Sequence, residues 1–161
     1  MFKLVFSRRY SMAHRLLFDA SDKCAVPHGH NETVTVTLVA RRPGRLDGRA
    51  NMVALIRKAL AGELDPLIAY FRDRAPQRLS RLLITPGDPT SVSLAACVMA
   101  MLNAFLAADG ELLSCAEVRV EETPTNSVVF DGDPEAMLPD VAASAPWWRR
   151  ADDSINDLPP R

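Results

Sequence analysis

The sequence predicts an α+β domain in which two helices cover one face of an antiparallel sheet, in the order β-β-α-α-β-β. Three observations carry this expectation. Two segments near the start alternate apolar and polar residues with a period of two. A long apolar stripe of helical period occupies the middle of the chain. Two further β-branched segments follow it. At 161 residues, 48% of them hydrophobic, the chain has the size of one domain and enough apolar surface for a core.

The elements follow in order. Phe2, Leu4 and Phe6 alternate with Lys3, Val5 and Ser7, which predicts a strand running to about His14. Residues 15–27, with Asp, Ser, Lys and Pro27, read as a long loop. From Gly29 onward, Thr33-Val34-Thr35-Val36-Thr37-Leu38-Val39 reads as a second strand, paired with the first as a hairpin and ended by the turn Arg42-Pro43-Gly44-Arg45-Leu46-Asp47-Gly48. Met52, Leu55, Ile56, Ala59 and Leu60 fall at helical spacing and predict a first helix, broken by Gly62 and Pro66. Leu79 to Ile84 and Thr85 to Pro89 read as irregular.

Thr90 or Ser91 then caps a long helix whose buried stripe is Leu94, Ala95, Val98, Met101, Leu102, Phe105 and Leu106, with Gly110 ending it. Cys97 beside that stripe and Cys115 at the next strand read as core thiols. Cys115 to Glu122 is a third strand with Val118, Val120 and Glu122 on one face. Ser127 to Phe130 is a short fourth, and Asp131-Gly132-Asp133-Pro134 turns out of it. Residues 1–134 are thus expected to form the domain. Residues 135–161 read as a C-terminal extension held to the surface through Trp147-Trp148.

The formal net charge is -1, and the paired arginines at Arg8-Arg9, Arg41-Arg42 and Arg149-Arg150 read as solvated surface. That balance favours neither nucleic acid nor an anionic membrane as partner. No unbroken apolar run reaches the roughly 18 residues of a membrane helix. The opening alternation reads as a strand and not as a secretory leader. Three irregularly spaced cysteines do not form a disulfide framework, so a reducing, cytoplasmic compartment is expected.

The chemistry concentrates in one short stretch. All three histidines of the chain lie between His14 and His30, with Cys24 among them. His28 and His30 are two apart, which on a strand puts both on one face. An antiparallel neighbour can bring His14 to the same face. Three neutral imidazoles would hold a divalent ion, with zinc the expected one, and leave one position for water or a substrate oxygen. Cys24 fits either of two roles: a fourth ligand that closes the site, or a thiolate activated beside the cation. Spacing alone leaves both open.

The pattern Ala13-His14, Cys24-x3-His28-Gly29-His30-Asn31, Leu64-Asp65, Pro89-Thr90-Ser91 and Glu122-Thr123-Pro124-Thr125-Asn126 resembles the 6-pyruvoyltetrahydropterin synthase and 6-carboxytetrahydropterin synthase family. The five segments keep that family's order from residue 2 to about residue 131. The resemblance implies the tunnelling fold (T-fold) and a homo-oligomer, commonly a hexamer. It implies zinc on His14, His28 and His30, and a lyase acting on 7,8-dihydroneopterin triphosphate. It implies Cys24 as the general base, Asp65 in the proton relay, Glu122 as the anchor of the pterin ring, and Thr90 and Ser91 as lining of the pterin pocket. The product would be 6-carboxytetrahydropterin, on the route to queuosine, or 6-pyruvoyltetrahydropterin. Four positions depart from the pattern: Pro66 stands where the relay histidine follows the aspartate, and Ala54 and Val92 stand where acidic residues are usual. Glu32 replaces a common aromatic. Two alternatives follow from the missing histidine: altered pterin chemistry such as side-chain cleavage, or a non-catalytic zinc- and pterin-binding protein.

Overall fold

A computed structural model describes residues 3–18, 21–40, 58–108, 110, 113–139 and 146–151. The anticipated hairpin is its backbone. β1 (Lys3–His14) and β2 (His28–Ala40) pair antiparallel in unbroken register from Lys3↔Val39 to His14↔His28. Burial on β2 alternates from Glu32 to Val36, as a half-buried strand requires. β5 (Leu113–Thr123) pairs antiparallel with β2, and β6 (Asn126–Phe130) with β5. A register shift between Thr37 and Leu38 lets both of these consecutive residues be buried.

Two short strands extend the sheet beyond what alternation predicts. β3 (Lys58–Ala61) lies parallel to β1 at Ala13 and His14, and β4 (Leu82–Thr85) lies parallel to β3. The order is β4-β3-β1-β2-β5-β6. The α+β class holds, but the sheet is mixed and six-stranded, not wholly antiparallel.

The first helix also needs correction. Ala59 and Leu60 lie on β3, not on a helix; Met52, Leu55, Ile56, Ala54 and the 42–48 turn fall outside the described residues. The helix of this region, α1 (Pro66–Arg74), begins at the supposed breaker. Proline is well placed in a first turn, where its missing N–H leaves no bond unmade. Asp65 caps that turn, its carboxylate accepting from Leu67 N–H at 2.9 Å. A 3-10 turn (Pro76–Arg81) leads into β4, replacing the irregular stretch expected at Leu79 to Ile84.

The two helices do not share a face. Ala59 and Leu83 belong to the core under α2 (Ser91–Ala108), whereas Leu60 and Leu82 pack with Ile68 and Phe71 of α1. Adjacent strand residues point to opposite faces, so α1 and α2 cover opposite sides of the β3–β4 end.

Thr90 caps α2, accepting from Ser93 N–H at 3.2 Å. Leu94, Ala95, Val98, Leu102 and Leu106 are buried against Val34, Val36, Leu38, Val118 and Val120. Met101 and Phe105 are only partly buried. Ala96, Cys97, Met99 and Ala100 are buried as well, because the 3-10 turn Trp147–Arg149 brings Trp147 and Trp148 into the same core. Trp147 Nε1 donates to the Ile84 carbonyl at 3.2 Å. α2 carries no charged residue and has the length and apolarity of a membrane span; in this fold it is a core helix. Gly110 closes it with φ +105°, a conformation that favours glycine.

Candidate metal centre

The metal-ligand candidates converge because the hairpin register demands it. His14 ends β1 opposite His28, the first residue of β2, and His30 stands opposite Met12. All three side chains rise on one face of the sheet, the α2 face, since Met12 and Val34 on the same alternation belong to the α2 core. The ring centroids are 4.8, 5.1 and 4.8 Å apart, and one ring nitrogen from each lies within 4.8 Å of the others.

Outer contacts orient the rings. His14 Nδ1 meets the Pro89 carbonyl at 2.7 Å and His28 Nδ1 meets the Val26 carbonyl at 2.8 Å. Each contact places the proton on Nδ1 and leaves the Nε2 lone pair free for a metal. His30 Nε2 is buried with no hydrogen-bond partner. Burial lowers the His14 pKa below its ordinary value; the Pro89 carbonyl opposes this, the neighbouring His28 and His30 reinforce it, and Glu122 opposes it. The neutral imidazole is the ligand form, so the donor set fits a divalent ion of the zinc type.

Glu122 completes the cluster's edge. Its Oε1 lies 3.7 Å from His14 Nε2 and 3.6 Å from His30 Nε2. Glu32, two residues beyond His30 on the same face, is fully buried, and neither carboxylate oxygen has a hydrogen-bond partner. Burial pushes its pKa up to about 7, and Glu122 adds to the shift.

Cys24 is half-buried in the loop between the strands. Its carbonyl accepts from Leu16 N–H at 2.8 Å, and its own N–H donates to Ser21 O at 3.0 Å, which ties this loop to the chain just beyond His14. Cys97 and Cys115 are buried, and burial pushes both thiols up to about 12. Native protein treated with iodoacetamide at pH 8 is therefore expected to label at about one thiol per chain, on Cys24, with the other two reacting only after unfolding. Equal labelling rates at all three would contradict this assignment.

Asp65 sits apart from solvent, and both its oxygens are engaged. Arg15 donates to it through Nε at 2.9 Å and Nη2 at 2.6 Å, while Asp65 also caps α1. Sequence reasoning passed over Arg15, which has no motif to mark it. It also passed over Asp88, whose carboxylate accepts from Leu17 and Phe18 N–H at 2.7 and 3.0 Å. Together Asp65 and the adjacent pair Asp88 and Pro89 bind His14 and the segment after it to two distant parts of the chain. Thr90, as α2 cap, and Ser91, the first residue of α2, follow directly on Pro89 and so adjoin His14.

The sequence profile of the 6-pyruvoyl tetrahydropterin synthase family matches residues 3–133. The chain belongs to that family. Its membership supports pterin synthase-type activity, and the six-stranded mixed sheet is the T-fold of that family. An uncharacterized protein of Wolinella succinogenes has a similar fold, with a TM-score of 0.61 at 18% identity over 82% of this chain and 98% of the other. The 6-pyruvoyl tetrahydropterin synthase of Caenorhabditis elegans aligns with a TM-score of 0.47 at 22% identity, over 82% and 96% of the two chains. A catalytic-residue mutant of the Plasmodium vivax enzyme aligns with a TM-score of 0.48 at 15% identity, over 80% and 96%. No curated protein matches the chain.

Proposed function

We propose that this protein is a zinc-dependent lyase acting on 7,8-dihydroneopterin triphosphate, giving 6-carboxy- or 6-pyruvoyl-tetrahydropterin. The observation that carries this proposal is the convergence of His14, His28 and His30 on the face that also bears Glu122. The three imidazoles hold the ion. A zinc ion there supplies Lewis acidity toward oxygens of the substrate side chain. Glu122 accepts two parallel N–H bonds from the pterin ring, as a carboxylate can. Thr90 and Ser91 line the pocket beside His14. Cys24 takes a proton from the substrate side chain as general base.

A second reading, altered chemistry such as side-chain cleavage of the dihydroneopterin, draws support from one place. Pro66 has no proton to exchange, and the neighbouring Asp65 has both oxygens engaged by Arg15 and the α1 cap. Incubation with 7,8-dihydroneopterin triphosphate and identification of the products separates the two. Formation of the carboxy or pyruvoyl product supports the first reading; a cleaved side chain supports the second; no product above that of Cys24→Ala leaves neither.

Purified protein is expected to carry about one zinc per chain, lowered sharply in His30→Ala. Elemental analysis checks this, and undiminished zinc in that variant would remove His30 from the ligand set. Homo-oligomerisation, as a hexamer, belongs to the same proposal. β4 and β6 end the described sheet, and strand edges of this kind are where sheets join across subunits.

A further inference from the structure

The least expected group in the site is Glu32. Its side chain is 0% exposed, and neither oxygen has a hydrogen-bond partner. A buried carboxyl left in that state is costly, and a donor arriving from outside the chain would relieve the cost. Neighbours on three strands locate that donor. On β2, Glu32 shares a face with His28 and His30. On β1 its register partner is Tyr10. On β5, one step past the Thr33↔Glu121 pair, it comes level with Glu122, whose charge it feels. Side chains level on adjacent strands stand about 5 Å apart at Cβ.

We propose that Glu32 is a second specificity-determining carboxyl, which accepts from the exocyclic amino group of the ligand whose ring edge Glu122 binds. This rests on the pterin reading above. A 2-amino-4-oxo pyrimidine edge offers a ring N–H and two amino N–H bonds. One carboxylate takes the ring N–H and one amino N–H, and the second amino N–H is left over. A carboxyl level with Glu122 on the next strand is placed to accept it. An aromatic side chain at position 32 would offer only a ring face and, at most, one hydroxyl.

The test compares two probes on the zinc-loaded wild-type protein: 7,8-dihydroneopterin and its N2-monomethyl analogue, which keeps one amino N–H and loses the other. Calorimetric titration is expected to show the parent binding at least about tenfold more tightly. In Glu32→Met, similar in length and apolar, the preference should narrow to within about threefold while zinc content stays unchanged. Equal binding of both probes by the wild type overturns the inference, and this comparison needs no variant to fold. A preference that survives in Glu32→Met also overturns it, since the discrimination then lies elsewhere. A wild-type protein that binds neither probe removes the pterin reading itself, and this inference with it. Weaker binding of both probes by the same factor in Glu32→Met marks a purely structural role and equally sinks the proposal.

Discussion

Cys24→Ala is expected to lower the rate of product formation by ~10²–10⁴-fold, the usual contribution of a positioned general base. The substitution is a clean one. The bonds that hold the loop, Leu16 N–H to Cys24 O and Cys24 N–H to Ser21 O, are backbone bonds that alanine keeps. The imidazoles sit on β1 and β2, outside that loop. The loss should therefore appear in kcat, with zinc content and pterin affinity close to wild type. A variant that turns over within about threefold of wild type would remove Cys24 from the chemistry.

Asp65→Ala is expected to cost about 3–5 kcal/mol of folding stability, the usual price of breaking a buried ion pair from one side. Asp65 is fully buried and Arg15 is 17% exposed, so the guanidinium cannot turn wholly to water when its partner goes. The α1 cap is lost too, typically worth about 1 kcal/mol by itself. For a chain of this size the midpoint of thermal unfolding should fall by roughly 10 °C or more. Asp65→Asn keeps an oxygen for Leu67 N–H but gives up the charge, and should fall between the two. Wild-type stability in Asp65→Ala together with lost turnover would instead place this carboxylate in the reaction.

These two residues mark the boundary of what the sequence discloses. The histidine cluster was legible because its geometry is local: a spacing of two on one strand, and a hairpin that folds the preceding strand back on it. The α2 cap at Thr90 and the existence of β5 and β6 as strands were legible for the same reason. β3 and β4 were not. Each is four residues long and largely buried, so neither shows alternation, and their parallel pairings join segments distant in sequence. Pro66 read as a breaker because a first-turn proline and a helix-ending one look alike without the cap that precedes them. The role of Asp65 depends on Arg15, and the orientation of His14 on Pro89; no local pattern announces either contact. Glu32 was visible as a departure from the family's aromatic residue, but its burial was not.

The hairpin register has a consequence for how the protein comes to be folded. All three candidate ligands lie on β1 and β2, and His14 and His28 face each other as the innermost pair of that hairpin. The ligand set therefore lies within a single local element and needs neither α2 nor the distant parallel strands. Hairpins of this kind close on the microsecond scale, well ahead of long-range pairings. An ion captured at that stage would close the intervening loop and favour the register that every later strand builds on. A metal held by these three imidazoles would therefore serve assembly as well as chemistry, and its removal would lower the yield of folded chains.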